Sequence, residues 1–156
     1  MRIDVIARSF ASVGIPVSKE PTGIYRDGVT LVPWQSGRAL TWDVTVATTL
    51  AHSYLPASSV TAAAAAEAAA SRKEVKYSDL PVSFSFEPIA VETLGPINES
   101  AVDFFRELGR RISSKFQEER QSAYLFQRLS VTVQRFNAVI LIDSFPPSSD
   151  LWPPME

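Results

Sequence analysis

The sequence predicts an α/β domain built on a mixed sheet. Three observations point there. Residues 39–48, ALTWDVTVAT, alternate strongly between apolar and polar positions, as a half-buried strand does. An alanine-rich run follows at 58–76, and alanine has the highest helix propensity. Two long segments near the end, 99–116 and 121–142, repeat apolar residues at helical spacing.

The elements follow in chain order. Residues 3–13 place Ile3, Ile6, Ala7, Phe10 and Val13 at helical spacing, and Gly14 is a C-terminal stop. Residues 15–20 read as a short strand, 21–28 as a turn-rich connection and 29–34 as a second strand. Gln35-Ser36-Gly37 makes a tight turn into the third strand, so the second and third strands are expected to form an antiparallel hairpin. In that third strand Leu40, Trp42, Val44 and Val46 share one face, and Thr41, Asp43, Thr45 and Ala47 the other.

The alanine-rich helix is expected over 58–76 as a solvated element, capped by Ser58 or Ser59, with Arg72, Lys73 and Lys76 at its C-terminal end. Residues 82–93 read as a fourth strand, broken or bulged near Pro88. The helix over 99–116 aligns Val102, Phe105, Leu108 and Ile112 on one side. The pattern over 121–142 runs through Leu125, Leu129, Val133, Phe136 and Ile140, and its end, AVILI, has a strand as its alternative. Residues 1–145 form the expected domain. The tail, 146–156, carries four of the eleven prolines and is expected to be disordered or extended.

Composition removes several chemistries. The chain has 156 residues, one His and no Cys. It therefore holds no disulfide, no thiolate zinc site and no cysteine nucleophile, and a Ser-His-Asp triad would have to use His52. Fifteen Lys and Arg against 17 Asp and Glu leave a net charge of −2, so bulk charge does not coat a nucleic acid. There is no apolar run of membrane-spanning length and no signal-peptide core, and the expected location is intracellular.

Asp43 carries the chemistry. A carboxylate in mid-strand among apolar residues opposes strand propensity and is costly to bury unpaired. Asp27, in the turn before the second strand, is the other candidate. Together they would suit Mg²⁺ or Mn²⁺, which keep waters and bind through one or two carboxylates. Thr45, two residues on, would point to the same side as Asp43. Bland alternatives exist for each residue. Asp27-Gly28 is a common turn pair, Asp43 has the alternatives of capping a turn, facing solvent at a sheet edge or pairing with an Arg, Glu20 before Pro21 suits a surface, and basic residues on helices usually face water.

The stretch EPTGIYRDGVTLVPWQSGRALTWDVTV resembles the restriction-enzyme-like endonuclease region near the C-terminal end of certain non-LTR retrotransposon polyproteins. That region belongs to the PD-(D/E)xK superfamily. The likeness continues through AAAAAEAAASRKEVKYSDL, FEPIAVETLGPINESA and YLFQRLSVTVQRFNAVILIDSF, covering residues 4–145. It implies a core of helix, three strands, helix, strand, here with two added C-terminal helices. RDG at 26–28 matches the family's RPDG, without its proline and after a shortened loop. It makes Asp27 the first metal carboxylate, and WDVTV makes Asp43 the second. Glu20 is then a helper acid. Thr45 stands where the superfamily has its water-orienting lysine, for which Lys19, Lys73 or Lys76 are the candidate substitutes.

The implied activity is Mg²⁺- or Mn²⁺-dependent nicking of DNA to prime reverse transcription. Arg72, Lys73, Arg110, Arg111, Arg128 and Arg135 are candidates to hold phosphates. The implied partners are DNA and a reverse-transcriptase region, and a eukaryotic host would make the location nuclear. The missing zinc-knuckle cysteines and a start near the first helix suggest a fragment of a longer element, or a decayed copy that binds nucleic acid or a partner without cutting. A third possibility is a structural module whose tail, with Trp152 among prolines, docks a partner.

Overall fold

A computed structural model describes residues 4–20 and 27–145. Its elements are α1 (Asp4–Ser12), β1 (Val17–Lys19), β2 (Gly28–Thr30), β3 (Ala39–Ala47), α2 (Leu55–Ser58), α3 (Ala64–Lys76), β4 (Phe84–Glu92), α4 (Glu99–Phe116) and α5 (Gln121–Asp143). The sheet has the order β1-β2-β3-β4. The first two pairings are antiparallel, including the expected hairpin of β2 and β3, and β3 runs parallel to β4 through the α3 crossover. This is a mixed α/β fold with a four-stranded open sheet and five helices. The expected tail and most of the 21–28 connection lie outside the described residues.

The two faces of β3 are buried in different ways. Leu40 and Trp42 join Ile89 and Val91 of β4 beneath α1 and α4, where Ile6, Phe10, Phe105 and Leu108 complete an aliphatic and aromatic core. Phe10 stacks on Trp42 with ring centroids 5.2 Å apart. On the other face, Ala65, Ala66, Ala69 and Ala70 of α3 pack on Ala47 and Ala90. The alanine helix is therefore a buried layer, not the solvated element expected. Methyl side chains let its backbone approach the sheet closely, and Glu67, Ser71, Arg72, Glu74 and Lys76 face outward with Val75. α5 lies against α4, burying Leu125, Leu129 and Val133.

Other expectations also need correction. The second strand stops at Thr30 because its hydroxyl accepts the Leu40 N–H at 2.9 Å and donates to the Val32 carbonyl at 2.8 Å, replacing ladder bonds. Pro33 follows, and Trp34 then turns into the core. The turn at 35–37 forms with positive φ at Ser36 and Gly37. Neither Ser58 nor Ser59 caps α3. They belong to α2 and its end, and left-handed Ala63 separates the two helices. Glu92, 1% exposed, provides the cap instead, its Oε1 accepting the Ala65 and Ala66 N–H groups at 3.0 and 3.1 Å.

Pro88 does not break β4. The N–H groups of Ala90 and Glu92 point away from β3, to the Asn98 side chain and the Pro96 carbonyl. Pro88 shares their parity, so its missing N–H falls on the outer edge, where no ladder bond is lost. The AVILI segment is helix, not strand, and continues α5.

Candidate functional site

β2 and β3 bring the two aspartates together. Gly28 pairs with Trp42 and Val29 with Thr41, which leaves Asp27 at the end of β2 against the Trp42–Val44 stretch of β3, within electrostatic reach of Asp43. The Asp27 N–H donates to the Trp42 carbonyl at 3.2 Å, and its Oδ2 accepts the Val44 N–H at 2.7 Å. Gly28 permits this approach, because a Cβ there would sit 2.1 Å from the Trp42 ring. Burial pushes the Asp27 carboxyl above its ordinary pKa, the Val44 N–H opposes that, the Asp43 carboxylate raises it again and Lys73 lowers it.

Asp43 is 8% exposed and lies on the face that α3 covers. Its counter-charge comes from that helix. Lys73 Nζ stands 2.5 Å from Asp43 Oδ2. Lys73 follows Ala69 and Ala70 by four and three residues, so it extends the buried alanine stripe over the sheet. The contact is an ion pair without a directed hydrogen bond, since the buried Oδ2 makes none. Thr45 is half-buried on the same side as Asp43, opposite Ala90.

Asp27 also borders a cavity of about 220 Å³ on the other side of β3, shared with Asp4, Lys19, Glu20 and Trp42. Glu20 sits there in the left-handed region, φ 47°, and its N–H reaches the Asp27 carbonyl. Lys19 pairs with Asp4 at 2.5 Å. Lys76 lies over the Tyr77 ring. Of the three lysines weighed as substitutes, Lys73 is the one that reaches an aspartate of the pair.

Donor chemistry defines what the pair can bind. One oxygen of Asp27 is taken by Val44, which leaves the other, and Asp43 Oδ2 faces only a cation. Hard oxygen donors of this kind fit Mg²⁺ or Mn²⁺ with most of the coordination shell left to water and a phosphate. Among the described residues no group of three or more His, Cys, Asp or Glu is arranged to hold a metal ion. His52 is exposed on a loop.

The basic candidates fall into separate places. Arg72 hydrogen-bonds the Tyr54 hydroxyl and covers its ring. Arg110 and Arg111 both clasp Glu107, at 2.8 and 2.7 Å. The hydrogen bond from Arg110, with Arg111 beside it, holds the Glu107 pKa down at about 2. Arg111 also donates to the Trp34 carbonyl at 3.0 Å and stacks on its ring. Arg128 and Arg135 of α5 face α1 and Arg8 across a groove. Sequence reasoning passed over Arg8, whose spacing from Asp4 and Ser12 puts it on the outer face of α1.

No helix among the described residues is long and apolar enough to cross a membrane. Compared with known proteins, the chain matches no family model and no curated protein.

Proposed function

We propose that this chain is a metal-dependent DNA endonuclease domain with a restriction-endonuclease-like core, derived from a non-LTR retrotransposon polyprotein. The observation that carries the proposal is the meeting of Asp27 and Asp43 with Lys73. Thr45 cannot supply the positive charge that the superfamily pattern puts two residues after the second carboxylate. Lys73 supplies one from α3, against that same carboxylate. The order α1, β1, β2, β3, α3, β4 supports the reading, with the single turn of α2 inserted and α4 and α5 added behind.

Asp27 and Asp43 would hold Mg²⁺ or Mn²⁺, which supplies an acidified water and charge stabilisation at the phosphate. Lys73 would orient that water and stabilise charge developing on the scissile phosphate. Glu20, across the cavity from Asp27, would act as a helper acid. DNA is the substrate, and the nick would serve a reverse-transcriptase region of the full element, in the nucleus of a eukaryotic host.

The test is nicking of supercoiled plasmid with Mg²⁺ or Mn²⁺. Asp27→Ala, Asp43→Ala and Lys73→Ala are each expected to abolish it. Nicking that survives both aspartate substitutions would refute this site. Thr45 favours a second reading, a decayed nuclease fold that binds nucleic acid without cutting it; DNA binding with no nicking by the unaltered chain would establish it.

A further inference from the structure

Several of the described cations are held within the molecule. Lys19, Lys73, Arg106, Arg110 and Arg111 each pair with a carboxylate, and Arg72 is held by Tyr54. Arg8, Arg128 and Arg135 make no ion pair among the described residues, and all three are exposed. They come from two helices and line one groove of about 480 Å³ between α1 and α5. Arg128 and Arg135 are seven residues apart, so two helical turns of about 10.5 Å separate them along one face.

The groove connects two other features. At one end it shares Asp4 with the cavity that Asp27 and Glu20 border. At the other it shares Arg8 and Arg128 with a second concavity of about 220 Å³, where Tyr124 and Phe116 stand. Those rings are 41% and 54% exposed, unusual for aromatic side chains in a well-packed helical pair. A path therefore leads from Asp27, past three free guanidinium groups, to two exposed rings.

The geometry points to a track for a single strand of nucleic acid running along the α1–α5 groove. Arginines hold successive phosphates and the rings of Tyr124 and Phe116 stack bases, the combination that binds single strands with little regard to sequence. A groove of about 480 Å³ between two helices is of a size for one strand, and comparison with a duplex tests that choice. A flat lipid surface cannot enter it. The direction of the track, towards Asp27, rests on the proposed nuclease site; the binding itself does not. A net charge of −2 also confines such binding to a local patch.

The experiment is fluorescence anisotropy of the full chain with a labelled oligothymidylate, against a duplex of equal length, in EDTA over a range of salt. The expected result is tighter binding of the single strand. Arg8→Ala/Arg128→Ala/Arg135→Ala should weaken it and flatten the slope of log K against log salt by about 2, since each phosphate contact on a single strand contributes about 0.7. The triple Lys variant should restore the slope. Tyr124→Ala should weaken binding by roughly five- to a hundredfold with the slope unchanged. Circular dichroism of each variant should match the wild type.

Asp27→Ala and Asp43→Ala should bind the strand normally. A chain that binds but never nicks sinks the nuclease reading and leaves the track standing. Preference for duplex, or an unchanged affinity and slope in the triple Ala variant, overturns the track. Equal, arginine-dependent binding to anionic vesicles overturns it as well.

Discussion

Removing the Lys73 charge tests the centre of the argument without any assay of cutting. Lys73→Met keeps most of the stem that lies over the sheet and deletes the ammonium. Asp43, 8% exposed and with no hydrogen bond at Oδ2, would then be a buried charge without compensation. Breaking a buried pair in this way costs about 3–5 kcal/mol when water is excluded. The Lys73 side chain is 27% exposed, so water reaches this pair and the lower part of that scale, about 2–3 kcal/mol, is expected.

Asp43→Asn alone should cost less, about 1 kcal/mol, because Lys73 can extend its charge to solvent along a flexible stem. The double variant should lie near the wild type, giving a coupling of roughly 3–4 kcal/mol in the double-mutant cycle. Urea denaturation measures this, with unchanged m-values as the check that only stability moved. Mn²⁺ adds a second arm. The ion would replace the lost ammonium, so it should raise the melting temperature of Lys73→Met, by as much as the equivalent of about 2.7 kcal/mol at a hundredfold excess over Kd. It should not do so once Asp27→Ala is added. A Lys73→Met variant within 0.5 kcal/mol of the wild type, a threshold on the order of ordinary surface effects, would refute the reasoning.

Other predictions test the frame around the site. Glu87, bonded to Ser100, is raised to about 7, first by burial and then by neighbouring Glu74 and Asp103 against the Ser100 hydrogen bond. The folded state therefore holds this proton more tightly than the unfolded state. The contribution of Glu87 to stability should be complete below pH 4.5 and be lost as pH rises through about 7, by at most about 3 kcal/mol, and Glu87→Gln should flatten that limb in denaturation at pH 5 and 8. Gly109→Ala would put a Cβ 2.4 Å from Ser122 Oγ and 2.7 Å from its Cα, so thermal melts should show a loss of about 1–3 kcal/mol from forcing α4 and α5 apart. Glu92→Ala should cost about 0.5–2 kcal/mol by uncapping α3, with faster hydrogen exchange at Ala65 and Ala66, and Glu92→Gln should recover most of the protection.

The limits of sequence reasoning follow the range of the forces involved. α4 spans the expected 99–116, because its apolar stripe and polar faces are local signals. β3 was legible for the same reason, through its alternation. The start of α3 was not, because its cap comes from Glu92, 27 residues away from Ala65, and no residue near Ser58 signals that. β2 ended early through a side chain replacing a ladder bond, a choice Thr30 makes only once Leu40 is beside it. Asp43 stood out by being an acid in an apolar strand. Its partner did not, since Lys73 sits among Arg72, Glu74 and Lys76 like any residue at a solvated helix end.

The alanine run resolves that last difficulty. A helix carrying leucines at 65, 66, 69 and 70 would stand further from β3, and a lysine one turn later would end short of a strand carboxylate. Alanines at those positions, 0–4% exposed, remove that standoff. The stripe then reaches Lys73, the first position on the buried face with a side chain long enough and charged enough to meet Asp43. The low-complexity segment is thus part of how the site is built. Enlarging the spacer, as in Ala69→Leu, should weaken the Lys73–Asp43 coupling measured in the double-mutant cycle, over and above any cost of overpacking. A coupling that stays the same in that background would mean that the pair does not depend on how closely α3 approaches the sheet.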